Sequence, residues 1–407
     1  MKRVVITGMG AVTPLGNTLG DYVAGLRSGR VGIGPITKFA ADAGVSVAGE
    51  VRDFDPTVHL KAKAAKRMDL FSQYALYSAT EAMTMAGLVG GGVDSEQFGV
   101  IYGSGIGGLG TIEQQVIKMH DKGPRRVSPL FVPNAIINMA AGNLSIAFHA
   151  QNISQAVVTA CASATNAIGN AFDTIRLGRA QVMLTGGSEA SVNEIGIAGF
   201  AALTALSRST DPLRASLPFD AYRSGFVMGE GAGTLVLEEL THAQARDAHI
   251  YAEVVGYGST ADAYHATAPD PTGTGAIRAM TQAVTDAGIT PDAVGYINAH
   301  GTATKANDEA ESRAIQTLFG KHDVLVSSTK GMTGHLLGAA GALEAIATVA
   351  ALRGPLPVNV GCADQDPACP VHLVTPANAD RPVDYALSNS FGFGGHNAVL
   401  AFKRWGA

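Results

Sequence analysis

Short apolar runs alternate with longer helix-periodic segments along the whole chain, and this alternation constrains the fold more than any other feature. Strands are expected over residues 3–7, 98–102, 155–160, 182–185, 233–238, 252–255, 296–299, 324–327, 371–374 and 398–402. Helices are expected between many of them, including 72–86, 162–177, 308–318 and 336–352. This order predicts an α/β fold with substantially parallel sheets and helices on both faces. A change of layout near Ile250 suggests two halves, 1–250 and 251–407, packed as one unit. The region 109–132, with Arg125, Arg126 and Pro129, reads as an irregular polar excursion or a partner-binding insertion.

Composition narrows the class further. Only 15% of the 407 residues are charged and 46% are hydrophobic, against about 25% charged in an average soluble chain. Such a chain must bury a large interior, which excludes disorder and coiled coil. Its 50 glycines follow no three-residue period, which excludes collagen. A net charge of −5 provides no global attraction for nucleic acid. Three cysteines cannot build a disulfide framework, so a reducing compartment is expected. The apolar run Val4-Val5-Ile6 stops at Thr7-Gly8, too short for an export signal. The least charged stretch, 156–172, carries Thr159, Ser163, Thr165, Asn166 and Asn170, a polar load unsuited to a membrane span. A cytoplasmic protein is the expectation.

Four segments hold residues suited to chemistry. Cys161 stands where an apolar strand gives way to a helix rich in small residues, a position at which free N–H groups favour a thiolate or an oxyanion. Cys362 and Cys369 flank a polar loop with one nearby histidine, His372, and read as structural rather than metal-binding. His300 ends a second strand in Asn298-Ala299-His300-Gly301-Thr302-Ala303-Thr304. Lys330 and His335 share Ser327-Ser328-Thr329-Lys330-Gly331-Met332-Thr333-Gly334-His335. The fourth segment, Ser388 to Asn397, reads as a glycine-bracketed aromatic loop ahead of a last strand. Open α/β sheets place their sites at such strand ends. Gly103-Ser104-Gly105-Ile106-Gly107-Gly108 also fits a dinucleotide fingerprint. No acidic strand end follows at the required distance, so it reads as a turn that lets another group approach.

Together these motifs resemble β-ketoacyl-[acyl carrier protein] synthases of the elongating type (type II). The resemblance extends from Val4–Gly10, through Phe219-Asp220 and Arg223–Gly231, to Phe391–Asn397. It implies a thiolase-like fold of duplicated α-β-α-β-α layers and a homodimer. It also implies decarboxylative condensation of malonyl carrier with an acyl chain held on Cys161, extending that chain by two carbons.

The resemblance further assigns roles. Cys161 is the implied nucleophile, His300 and His335 the decarboxylating histidines, and Lys330 their electrostatic support. Phe393 is the implied gate, its N–H forming an oxyanion hole with that of Cys161. Thr302 and Thr304 would bind the phosphopantetheine arm, Thr267 and Phe391 would also face substrate, and Ile106 and Phe200 would line the acyl pocket. Asp308 and Glu344 match supporting acids. Lys63, Lys66, Arg67, Arg125 and Arg126 match a basic patch for the acyl carrier protein. No metal or organic cofactor is implied beyond the carrier's phosphopantetheine. A second catalytic cysteine, expected of a degradative thiolase, has no suitable motif, and an asparagine in place of His335 would have suggested a chain-initiating synthase. Ala164 replaces a frequent glycine after the nucleophile. Ala303 and Lys305 depart from the usual Gly-Thr-Ser-Thr-Pro, and Thr204 stands where relatives often carry a cation. The presence of Cys161 with both histidines disfavours a non-catalytic chain-length subunit, while a specialised lipid or polyketide role uses the same residues.

Overall fold

The computed structural model describes residues 1–41 and 44–407. Eleven strands form one mixed sheet: β1 (Val4–Val12), β2 (Phe98–Gly103), β3 (Ser154–Val157), β4 (Val182–Glu189), β5 (Gly231–Glu239), β6 (Ala252–Ala261), β7 (Val294–Asn298), β8 (Leu325–Ser327), β9 (His372–Leu373), β10 (Tyr385–Gly392) and β11 (His396–Arg404). Their spatial order is β9-β8-β7-β10-β11-β6-β1-β5-β4-β2-β3. Reading outward from the centre, the early strands run first, fifth, fourth, second, third, and the later ones repeat that order from β6 before β9 extends the edge. The architecture is thus duplicated. The two sets meet where β1 and β6 pair antiparallel over three residues, Val4 with Val254, Val5 with Glu253 and Ile6 with Ala252.

The expectation of substantially parallel sheets needs correction. The outer pairs of each set are parallel, but the central run from β10 through β4 is antiparallel throughout. Buried antiparallel strands read like parallel ones because β1, β4 and β5 bury every residue and show no in–out alternation.

The principal helices are α1 (Leu19–Ser28), α2 (Leu70–Met85), α3 (Leu109–Lys122), α4 (Met139–Phe148), α5 (Ser163–Arg176), α6 (Thr274–Asp286), α7 (Lys305–Phe319) and α8 (Ala340–Ala351). Helix α2 covers β1 and β5, while α6 covers β6 and β11. Helices α5 and α8, which follow the third strand of each set, pack on each other. All of α8 except Ala350 is buried, as a helix in the central layer must be, because it has no solvent face to keep polar. Its crossing with α5 is so close that a Cβ on Gly341 would lie 2.0 Å from Thr165 Oγ1. Only glycine allows that approach.

Two further segments differ from expectation. The region 109–132 contains the helix α3, a 3₁₀ turn at Pro124–Arg126 and the start of the short helix Phe131–Ala135, rather than irregular chain. Residues 385–392 form the strand β10, paired with β11 through a tight connection, so only residues 393–395 of the presumed loop remain a turn.

Candidate active site

Strand β3 ends at Val157, three residues before the expected boundary, and the chain enters a 3₁₀ turn, Ala160–Ala162, directly before α5. Ala160 takes φ +50, a left-handed conformation uncommon for a residue with a Cβ. This bend presents the half-buried Cys161 to a cavity. Burial pushes its thiol up to about 12. Lys330 and the Phe393 N–H pull the other way, and Glu189 and Glu344 add to the rise. The resting sulfur is therefore a thiol, not the lowered-pKa thiolate its helix-entrance position suggests.

His300 follows β7 and is buried. Its backbone N–H and that of Gly301 each donate at 2.8 Å to the Glu311 carboxylate on α7. His335 is clamped at its backbone: its N–H donates to the Val227 carbonyl at 2.7 Å, and its own carbonyl accepts from Gly229 at 2.8 Å. The imidazoles meet edge to face with centroids 5.2 Å apart. Phe391 packs edge-on to His300, and Phe226 edge-on to His335. Burial holds both histidines well below their usual range, and nearby Lys330 lowers them further; His335 also lowers His300. Both rings are therefore neutral near pH 7, and both Nδ1 atoms are buried without a hydrogen-bond partner.

Lys330 lies behind this pair, itself buried. Its Nζ donates to the His300 carbonyl at 2.5 Å and pairs with Glu344 of α8. The Ser390 hydroxyl also reaches Glu344, at 3.5 Å. A buried ammonium is tolerable only with such a partner.

One cavity is lined by Cys161, His300, His335, Phe391 and Phe393, together with Phe200, Thr267, Thr302 and Thr304. The hydroxyls of Thr302 and Thr304 are hydrogen-bonded at 2.9 Å. Ile106 lies outside this cavity, in an apolar cluster that includes Phe200, Phe226, Leu337 and the flank of Cys161. An adjoining cleft shares Thr267, Thr304 and Phe393 with the cavity and is bordered by Thr204 and the exposed Lys305. Asp308 does not reach the cavity. It accepts from the Phe219 N–H at 3.0 Å and sits 3.6 Å from Arg223, whose guanidinium also meets Glu309 and Asp366. Lys63, Lys66, Arg67, Arg125 and Arg126 are all exposed, and none has an ion-pair partner among the described residues. The first three precede α2, whose cap Asp69 is tied at 2.6 Å to Thr111 in the first turn of α3. The two arginines lie in the turn beyond the last residue of α3.

Sequence reasoning missed Glu311, Phe226 and Glu189. Glu311 is three residues beyond Asp308 on the same helix, and that spacing could have flagged it. Glu189 explains the glycine-rich turn, because its carboxylate accepts the Gly105 and Ile106 N–H groups that a nucleotide phosphate would need. Cys369 is buried and Cys362 partly so, both unpaired, with their thiols pushed up to about 11 and about 12 by burial. Among the described residues, no cluster of three or more metal-ligating side chains occurs.

A thiol, two neutral imidazoles and a paired ammonium around one apolar cavity suit acyl transfer and the stabilisation of an enolate. Comparison with known proteins agrees. Residues 1–243 match the N-terminal domain of β-ketoacyl synthases, and residues 251–360 match the C-terminal domain. The chain is 51% identical to 3-oxoacyl-[acyl-carrier-protein] synthase 2 of Synechocystis sp., covering 99% of this chain and 98% of that protein. Identity to the Staphylococcus aureus protein of the same name is 49%, over 100% and 99%. Among solved structures, the ishigamide ketosynthase/chain length factor superposes with TM-score 0.93 at 36% identity, over the whole of both chains. A type II PKS acyl-carrier protein in complex with its ketosynthase gives TM-score 0.91 at 31% identity, over 99% of each chain. With the thiolase-like duplication and the cysteine–histidine cavity already in place, these matches fix the lineage: the chain belongs to the β-ketoacyl synthase family.

Proposed function

We propose that the protein is an elongating 3-oxoacyl-[acyl carrier protein] synthase of type II fatty acid synthesis. The observation that carries this reading is the single cavity uniting Cys161 with two neutral histidines, His300 and His335. In the first half-reaction, Cys161 Sγ attacks the acyl thioester carbonyl. The tetrahedral oxyanion is met by the N–H groups of Cys161 and Phe393, and the carrier thiol leaves with the proton lost by Cys161. In the second, the malonyl C–C bond breaks and CO2 departs. The enolate oxygen is stabilised by N–H donation from His300 and His335, which need only be neutral to do this. The enolate carbon then attacks the Cys161 thioester, forming the new C–C bond. The released thiolate takes up a proton, consistent with a site in which burial favours the thiol.

Lys330 acts through the histidines: its charge adds to the burial that keeps them unprotonated, and Glu344 keeps it in place. Thr302 and Thr304 bind the phosphopantetheine arm at the mouth, with Thr267 beside them, while Phe393 and Phe391 gate the channel. Ile106 and Phe200 face the acyl chain. Asp308 supports the mouth from behind by holding Arg223 and the Phe219 backbone. Because fixed N–H donors meet each developing anion, the chemistry requires no metal or organic cofactor. The exposed cations Lys63, Lys66, Arg67, Arg125 and Arg126 receive the acidic carrier, and two copies of the chain form the working unit in the cytoplasm.

The test is mass spectrometry of the protein after incubation with acyl carrier and malonyl carrier, beside Cys161→Ala. Wild type should gain acyl mass and release a 3-oxoacyl product two carbons longer, and the variant should do neither. Acylation of the variant, or no product from wild type with any acyl carrier, would sink this reading.

A further inference from the structure

Glu189 ends β4 fully buried, and no step above uses it. Its Oε2 accepts from the Gly105 N–H at 2.8 Å and the Gly338 N–H at 3.0 Å. Its Oε1 accepts from the Ile106 N–H at 3.2 Å and from the hydroxyls of Ser104 and Ser191 at 3.3 Å. Five donors from three parts of the chain converge on one carboxylate. The glycine-rich turn therefore carries its own anion as a covalent part of the protein.

The two turns joined in this way both pack into the apolar cluster on the flank of Cys161, beside the cavity. Ile106 and Leu337 pack into the same cluster with Phe200 and Phe226. Leu337 directly precedes Gly338 and lies two residues beyond His335. A Cβ on Gly338 would stand 2.1 Å from the Gly105 nitrogen and 2.7 Å from Glu189 Oε2, so the turns meet with no slack. A shift of the carboxylate moves both turns together.

We propose that Glu189 is a positioning residue for acyl-chain length, pinning the Ile106 and Leu337 turns to one carboxylate and so fixing the wall where the chain must stop. This rests on the condensing reaction proposed above. The donor pattern explains why an ionised acid is needed. A glutamine that kept its oxygen on Gly105 and Gly338 would turn its amide N–H₂ toward the Ile106 N–H, donor against donor, and release that turn.

The experiment measures kcat/KM of full-length wild type, Glu189→Gln and Ser104→Ala with acyl carriers of increasing length, with product masses read in parallel. The preference for an acyl chain one step beyond the wild-type limit, relative to a short chain, should rise about tenfold in E189Q, the scale of discrimination carried by one methylene in an apolar pocket. S104A, which loses one donor to Oε1 and the acceptor for the Gly107 N–H, should shift the preference the same way by less. Equal loss at every chain length would mean that Glu189 only stabilises the fold, and would overturn the proposal. If E189Q yields no soluble protein, S104A decides, and an unchanged preference there refutes it. Wild type inactive at every length would instead defeat the condensing reading itself.

Discussion

Asp308 and Glu311 are buried carboxylates whose burial pushes them up, Asp308 from 3.8 to about 6 and Glu311 from 4.5 to about 7. An acid raised in the folded state contributes stability that is fully present below its unfolded pKa and is lost as pH rises through its folded one. Between about pH 5 and about pH 7 these two groups should therefore lower the melting temperature as pH increases. Glu311→Gln should flatten that slope, which thermal denaturation across the range would register; an unchanged slope would mean another group sets it. The same substitution leaves one of the two backbone donors, His300 N–H or Gly301 N–H, without its acceptor. At this scale the reactive residues were legible in the sequence: Cys161, His300, Lys330 and His335 each punctuate a strand or helix end. The residues that hold them were not. An acid such as Glu189 or Glu311 looks identical in sequence whether it faces water or two or three backbone N–H groups.

The element that most shapes the site is the turn between β3 and α5. Ala160 holds a left-handed conformation one residue before the nucleophile, and the turn is braced by the Ser163 hydroxyl, which donates to the Ala160 carbonyl at 2.6 Å. A β-branched side chain is poorly accommodated there, so Ala160→Val should cost about 1–2 kcal/mol of stability and displace the thiol. Ala160→Gly should change stability by less than about 1 kcal/mol, since relief of strain offsets added chain entropy. Urea denaturation together with the rate of Cys161 alkylation would check both; a well-tolerated valine would show that the turn is not strained. Fully buried strands were legible as elements, but not always in extent. The expected β5 lies within two residues of the observed strand at each end, whereas β4 starts at the expected Val182 and runs four residues past its expected end, through Gly186 and Gly187 to Glu189. The strand β10 escaped notice because Ser388-Asn389-Ser390 is polar, although all three are buried, with Asn389 and Ser390 hydrogen-bonded to other buried groups. Helix α3 escaped notice although its apolar residues Leu109, Ile112, Val116 and Met119 recur at helical spacing. None of it is fully buried, and Val116, Ile117 and Met119 stay exposed, so this stripe does not face the core.

Across the whole molecule, the duplicated sheet ends at β3, a short edge strand flanked by exposed Ile146, Ile153 and Val158. An uncovered strand edge beside apolar surface is a pairing site, and a second copy related by two-fold symmetry would cover both. Ile146→Glu combined with Val158→Glu should move the protein from a two-chain to a one-chain mass in sedimentation. A wild type that sediments as one chain would refute the pairing. The alternation of the sequence was enough to indicate layered α/β architecture, but not the antiparallel centre, because strand direction is set by how the two sets meet rather than by local composition.

The crossing of α5 and α8 carries a further consequence. The thiol is delivered at the start of α5, and the imidazoles and their lysine by the other set of strands, so the gap across which carbon must be transferred is a distance between two bodies. The Gly341–Thr165 contact acts as the gauge block that sets it. A methyl group added there would thicken the spacer and alter the reach of the reaction without touching any group that takes part in it.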